Sequence, residues 1–125
     1  MAALTSVRDE ILGNIEQDER PWGGFRQFAH NARCTVKILT VMDGQLLSLQ
    51  SHRHRDELWV VLDEGLKVEI DGEEHVAHPG DEFVIPRGSR HRVGSIGGTG
   101  RILEISFGEF DEDDIERYED VYGRS

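Results

Sequence analysis

Between Phe25 and Phe107, short runs rich in Val, Ile, Leu, Phe and Thr alternate with Gly, Asp-Gly and Pro punctuation roughly every 8 to 12 residues. The pattern predicts strands at CTVKILTVM (34–42), QLLSLQS (45–51), ELWVVLD (57–63), LKVEID (66–71), EFVIP (82–86), HRVGS (91–95) and RILEISF (101–107). Asp43-Gly44 and Asp71-Gly72 are the expected hairpin turns, because both positions of such a turn favour residues that tolerate positive φ. So many short strands in one stretch must close on themselves to hide their edges, which predicts an all-β sandwich or small barrel over residues 21–110. Ahead of it, Leu4, Val7, Ile11, Leu12 and Ile15 recur at helical spacing behind Thr5 or Ser6 as a cap, predicting a helical arm over 1–20. Arg20-Pro21-Trp22-Gly23-Gly24 ends that arm. After Phe107, the carboxylates of Asp111, Glu112, Asp113 and Asp114 would satisfy the free amides of a helix start, predicting an acidic C-terminal helix or tail over 111–125 of the same domain.

Composition narrows the picture. At 125 residues and 37% hydrophobic, the chain supports one core and one domain. A net charge of −11 argues against nucleic acid and anionic membrane surfaces as partners, and no local basic patch offsets it. That charge is uneven: residues 109–120 hold eight carboxylates and one arginine, a local −7 that leaves the barrel only mildly acidic. A small anion is therefore admissible where a polyanion is not. The single cysteine, Cys34, excludes an internal disulfide and reads as a buried thiol. The opening residues carry acid where a signal peptide needs an apolar core, and no run approaches the roughly 18 apolar residues of a membrane span, so the expectation is a cytoplasmic protein. Trp22, Trp59, Phe83 and Phe107 read as core aromatics, and His30, His75 and His78 as ordinary polar histidines.

Two segments carry chemistry. In Gln50-Ser51-His52-Arg53-His54-Arg55-Asp56-Glu57, a regular strand places Gln50, His52 and His54 on one face, where two imidazoles can grip one ion. Glu57 has the opposite parity and joins them only through a bulge or bend at Arg55-Asp56. In Gly80-Asp81-Glu82-Phe83-Val84-Ile85-Pro86-Arg87-Gly88-Ser89-Arg90-His91, a strand ends at Pro86, a tight turn follows, and His91 opens the next strand, from which it can meet the first pair across the barrel.

Here the sequence resembles the cupin superfamily: Gly80, Pro86, Gly88 and His91 fill its second motif, with Ser95 in place of the terminal asparagine. More narrowly, it resembles the cupin domain of type II mannose-6-phosphate isomerases, which is also the C-terminal part of bifunctional mannose-1-phosphate guanylyltransferases. The residues that carry this are Arg20-Pro21-Trp22-Gly23, Val36-Lys37, Leu47-Ser48-Leu49-Gln50 through His52, His54, Arg55, Glu57 and Trp59, then Ile85-Pro86, Gly88 and His91-Arg92. The tail adds Gly108-Glu109-Phe110, Glu112-Asp113-Asp114-Ile115, and Asp120 through Tyr122-Gly123-Arg124.

The resemblance implies a single cupin barrel (small β-barrel or jelly roll), one divalent metal ion, a sugar-phosphate ligand and a homodimer. Under it, His52, His54, Glu57 and His91 form the metal set with Gln50 as an additional or substitute ligand, and zinc leads Mn, Fe, Co and Ni. The implied reaction interconverts mannose 6-phosphate and fructose 6-phosphate. Glu57, then His54, is the candidate base; Lys37, Arg87 and Arg92 are the candidate phosphate cations, with Arg55 and Arg101 in reserve, and Lys37 and Arg92 count among the catalytic candidates. No glycine-rich phosphate loop precedes the barrel, so guanylyl transfer is not expected. Two other classes compete: another metal-dependent cupin enzyme, such as an epimerase or dioxygenase, and a non-catalytic sugar-phosphate-binding module working with a separate nucleotidyltransferase.

Overall fold

The computed structural model describes residues 11–124. Its elements in chain order are β1 (Glu16–Arg20), β2 (Gly23–Gln27), β3 (Cys34–Val41), β4 (Leu49–Ser51), β5 (Arg55–Val61), β6 (Leu66–Ile70), β7 (Glu73–Ala77), β8 (Glu82–Ile85), β9 (His91–Ser95), β10 (Gly100–Gly108) and β11 (Glu116–Glu119). β1 and β2 form a hairpin of their own, while a four-stranded sheet in the order β3-β10-β5-β8 and a five-stranded sheet in the order β11-β4-β9-β6-β7 make the body. All pairings are antiparallel.

The core lies between the two large sheets. Val41, Trp59, Val61, Ile85 and Ile102 from one sheet meet Leu66, Val68, Ala77 and Val93 from the other. A second apolar cluster covers the outer face of the four-stranded sheet, where Ile11, Ile15 and Phe28 pack on Leu58, Val60 and Ile105. β5 is thus buried on both faces along its whole length, which is why its second half, Leu58–Val61, is a continuous apolar run and not an alternation, while Arg55, Asp56 and Glu57 at its start are buried charged groups.

The β6–β7 hairpin turns on Asp71-Gly72 as expected: Ile70 pairs with Glu73, and φ is 49° at Asp71 and 83° at Gly72. Asp43-Gly44 also makes a tight turn, closed by the Gln45 N–H on the Met42 carbonyl at 2.9 Å, but it joins strands of different sheets and is not a hairpin. Only residues 49–51 of QLLSLQS form a ladder strand, with an isolated bridge from Leu46 to Gly94.

Four further expectations are corrected. Residues 1–10 of the expected N-terminal helix lie outside the described residues; residues 11–12 are helical, but 16–20 form β1, turned back on β2 through Pro21-Trp22. Nothing in EQDER carries apolar helical periodicity, and cross-strand pairing decides its conformation. The expected C-terminal helix does not form among the described residues 111–124 either. Asp111–Asp114 make one turn, and residues 116–119 form β11, whose pairing with β4 satisfies backbone groups that a helix would otherwise use. A helix there would set Glu112 against Glu116 at like-charge i,i+4 spacing. Trp22, expected in the core, is 75% exposed at the tip of its hairpin, and Cys34 is half-buried against the outer cluster.

Candidate metal centre

The inward positions of β5 and β10 build the floor of a cavity of about 310 Å³ that opens between the sheets. Register sets Ser106 opposite Glu57 in one row and Lys37, Glu104 and Trp59 side by side in the next inward row, so polar groups from two neighbouring rows lie beside the apolar core. From the facing sheet, β4 and β9 bring Gln50 opposite His91. The turn of the second motif is tied to the first: the Gly88 N–H donates to the His52 carbonyl at 2.8 Å, and Ser89 N–H closes the turn on the Pro86 carbonyl at 3.1 Å.

His52, Glu57 and His91 converge, with ligand-type atoms all within 4.8 Å of one another. Nε2 of His52 lies 3.5 Å from Glu57 Oε1, and Nε2 of His91 lies 3.6 Å from the same oxygen. Donors on one ion with bonds near 2.1 Å stand about 3 to 3.4 Å apart, so these two spacings are close to a coordinating set. Hydrogen bonding fixes the tautomers. The Asp114 carbonyl can only accept, so His52 donates through Nδ1–H at 2.7 Å and keeps the Nε2 lone pair; the Ser89 carbonyl does the same for His91 at 3.0 Å. Among the described residues, Nε2 of His91 and both oxygens of Glu57 have no hydrogen-bond partner although they are buried. Buried polar atoms without partners are costly, and these point at one another, so the donor set fits a divalent cation.

The electrostatics agree. Burial lowers both histidines, His91 to about 4, and keeps them neutral as metal ligands must be. Burial, followed by the Glu104 carboxylate, pushes Glu57 up to about 8, against the pull of Arg55. Glu104 is raised too, chiefly by burial. Two such groups await a positive charge. Part of it is already present: an Arg55 Nη donates to His52 Nε2 at 3.2 Å and another to the Asp111 carbonyl at 3.1 Å, and the guanidinium lies 4.4 Å from the centre of the Phe110 ring.

The structure does not bring every candidate here. Gln50 lines the cavity, with its amide directed to the Ser48 carbonyl at 3.5 Å. His54 is exposed and outside the cluster. The chain bends at Arg53-His54, and the Asp114 carboxylate accepts both of their backbone N–H groups at 2.9 Å. That bend breaks the strand parity, turning His54 outward and Glu57 inward. Against the opposition of burial, the two amides hold Asp114 below the usual carboxylate range. Lys37 lines the cavity, 2.6 Å from Glu112 and 4.1 Å from the Phe110 ring centre. Arg87 instead holds Asp56 through its backbone and side chain, Arg92 pairs with Glu69 and Glu119, and Arg101 pairs with Asp63; none of the three lines the cavity. Glu104, Arg117 and Arg124 line it without having been singled out from sequence. For Glu104, a carboxylate inside the apolar run ILEIS was an available signal.

A two-sheet barrel with such a cluster between its sheets is a cupin. A solved cupin protein from Bacteroides fragilis shares the fold at a TM-score of 0.55, with 20% identity, over 65% of this chain and 74% of that one. Residues 9–120 match the family described as mannose-6-phosphate isomerase C-terminal, and the chain belongs to that family as a type II mannose-6-phosphate isomerase cupin domain. Alginate biosynthesis protein AlgA of Pseudomonas aeruginosa is 40% identical over 108 residues, covering 85% of this chain and 22% of that protein. Mannose-1-phosphate guanylyltransferase ManC of Salmonella typhimurium is 37% identical over 107 residues, covering 84% and 22%. The chain thus spans under a quarter of the length of these relatives. Among the described residues, no helix is long and apolar enough to cross a membrane.

Proposed function

We propose that this domain is a divalent-metal-dependent sugar-phosphate isomerase that interconverts mannose 6-phosphate and fructose 6-phosphate, with zinc as the first choice of metal. The observation that carries the reading is the buried trio of His52, Glu57 and His91, whose ligand atoms lie within 4.8 Å of one another, with both Glu57 oxygens and Nε2 of His91 lacking any hydrogen-bond partner. A divalent ion bound there supplies electrostatic stabilisation for the negative charge that develops on a substrate oxygen as the C1 and C2 positions exchange a proton.

The protein's own groups do the rest. Burial excludes bulk water from Glu57 and His91, each 1% exposed. Glu104 is a buried carboxylate of the cavity outside the trio, whereas Glu112 is exposed and paired with Lys37, and the raised proton affinity of Glu104 suits the acceptor of the substrate C1 or C2 proton. It replaces His54, which stands outside the cavity, as the alternative to Glu57. Lys37 is the phosphate-binding cation of the original set that faces the cavity, and Arg117 and Arg124 are added from the tail.

A second reading is kept because the chain matches only 22% of the length of these relatives: the domain binds a sugar phosphate for a guanylyltransferase without turning it over. An assay coupling mannose 6-phosphate consumption to fructose 6-phosphate detection, on protein of known metal content, separates the two. Turnover abolished by chelation and restored by metal supports the isomerase. Saturable sugar-phosphate binding with no turnover at full metal occupancy supports the second reading.

A further inference from the structure

We propose that Asp114 is the positioning residue of the metal centre, and that through it the acidic C-terminal segment and the bound ion stabilise each other. The proposal rests on the reading of His52, Glu57 and His91 as metal ligands.

Asp114 meets three successive residues of the first motif from about sixty positions away in sequence. Its backbone carbonyl accepts the Nδ1–H of His52 at 2.7 Å, one carboxylate oxygen accepts the Arg53 N–H at 2.9 Å, and the other accepts the His54 N–H at 2.9 Å. The first contact chooses the tautomer that puts the lone pair on Nε2 of His52, where Arg55 now donates and an ion would bind instead, and partners of this kind set both ring orientation and ligand basicity. The other two create the bend that removes His54 from the cavity and reverses parity so that Glu57 enters it. A single residue therefore selects which histidine of the His52-Arg53-His54 pair faces the cavity.

Asp114 is itself held by the tail. Its N–H donates to the Asp111 carbonyl at 3.0 Å, Asp111 also accepts from Arg55, and the chain continues directly into β11. An ion that requires His52 in this orientation binds the docked tail better than an undocked one, and that preference stabilises the docked state by the same factor.

The test uses the whole chain, stripped of metal and titrated with Zn²⁺ against a competing chelator. Asp114→Ala keeps the carbonyl to His52 but loses both carboxylate contacts, and is expected to weaken Zn²⁺ binding by about 10- to 100-fold, the range carried by outer partners of metal ligands. Asp114→Asn, with one accepting oxygen and an amide opposed to the other donor, should fall between; Asp113→Asn should match wild type. Because loss of both carboxylate contacts lets the tail, and the Asp114 carbonyl with it, move away from His52, histidine ¹⁵N shifts should report a pure Nδ1–H tautomer at His52 in wild type and a mixture in Asp114→Ala. In the reciprocal arm, saturating Zn²⁺ should slow cleavage of wild type by a glutamate-specific protease at Glu112 and Glu116 about as many-fold as Asp114→Ala weakens binding. Wild-type affinity in Asp114→Ala, alongside loss in His52→Ala, overturns this proposal and leaves the metal centre standing. Wild type that binds no Zn²⁺ overturns both. Should Asp114→Ala fail to fold, the wild-type protease arm decides: no protection by Zn²⁺ overturns the link.

Discussion

The two ends of the barrel interior are built from the same strands and do opposite work. Along β5 the inward positions run Glu57, Trp59, Val61, and along β10 they run Ser106, Glu104, Ile102, in register with one another. Within two steps of the pleat the lining changes from buried carboxylates to a close-packed apolar core. The apolar end contributes stability through burial. The polar end holds groups that would be more stable in water, and only a ligand with positive charge offsets that cost. Trp59 and His91, edge to face at 5.5 Å between ring centres, mark the boundary. A fold that concentrates its stability at one end of a shared pair of strands can keep an incompletely satisfied site at the other.

That contrast can be broken most forcefully at the apolar end. Trp59→Ala should cost about 3 to 5 kcal/mol, the range for a large buried aromatic, measured by chemical denaturation of metal-free protein. Next comes the pair of histidines. His52→Ala should reduce Zn²⁺ affinity by more than the about 100-fold upper range for outer partners, while His54→Ala should leave it within about threefold, as read by chelator competition. Equal losses in the two variants would restore the strand-parity picture.

At the polar end, Glu57→Gln should stabilise the metal-free protein by about 2 kcal/mol at pH 8 and above, while abolishing metal binding. Its pH dependence follows from direction alone. Glu57 titrates near 8 in the folded state against an ordinary value of 4.5, so the folded state holds the extra proton across that window, and stability falls as pH rises through it. His91, lowered to about 4 from 6.5, has the opposite sign, with stability rising between those values. The two oppose each other below pH 6.5, leaving a decline between about 6.5 and 8 that Glu57→Gln should flatten, with Glu104 retaining a part of it. Denaturant unfolding of metal-free protein at several pH values reads this directly. The smallest effect belongs to the rim: Glu112→Gln breaks an exposed ion pair with Lys37 and should change stability by less than about 1 kcal/mol.

What was legible in the sequence follows the same division. The strands from Cys34 to Phe107 other than β7 announced themselves because they pack apolar side chains, and Asp71-Gly72 because its turn demands positive φ. β1, β2, β7 and β11 did not, since EQDER, GGFRQ, EEHVA and ERYE are largely polar segments whose conformation comes from pairing. In the site, His52, Glu57 and His91 were readable from motif spacing, whereas the exclusion of His54 depends on a bend held by Asp114, a contact no local pattern contains. Arg87 and Arg92 are candidate phosphate cations by sequence, but in three dimensions Asp56, Glu69 and Glu119 claim them.

The central claim is that His52, Glu57 and His91 hold a divalent ion on which isomerisation depends. Its most direct measurement is turnover of mannose 6-phosphate as a function of Zn²⁺ occupancy, in wild type and in His91→Ala. The account predicts one equivalent bound by wild type, turnover proportional to occupancy, and neither binding nor turnover in His91→Ala. Binding and turnover of wild-type magnitude in His91→Ala would contradict it.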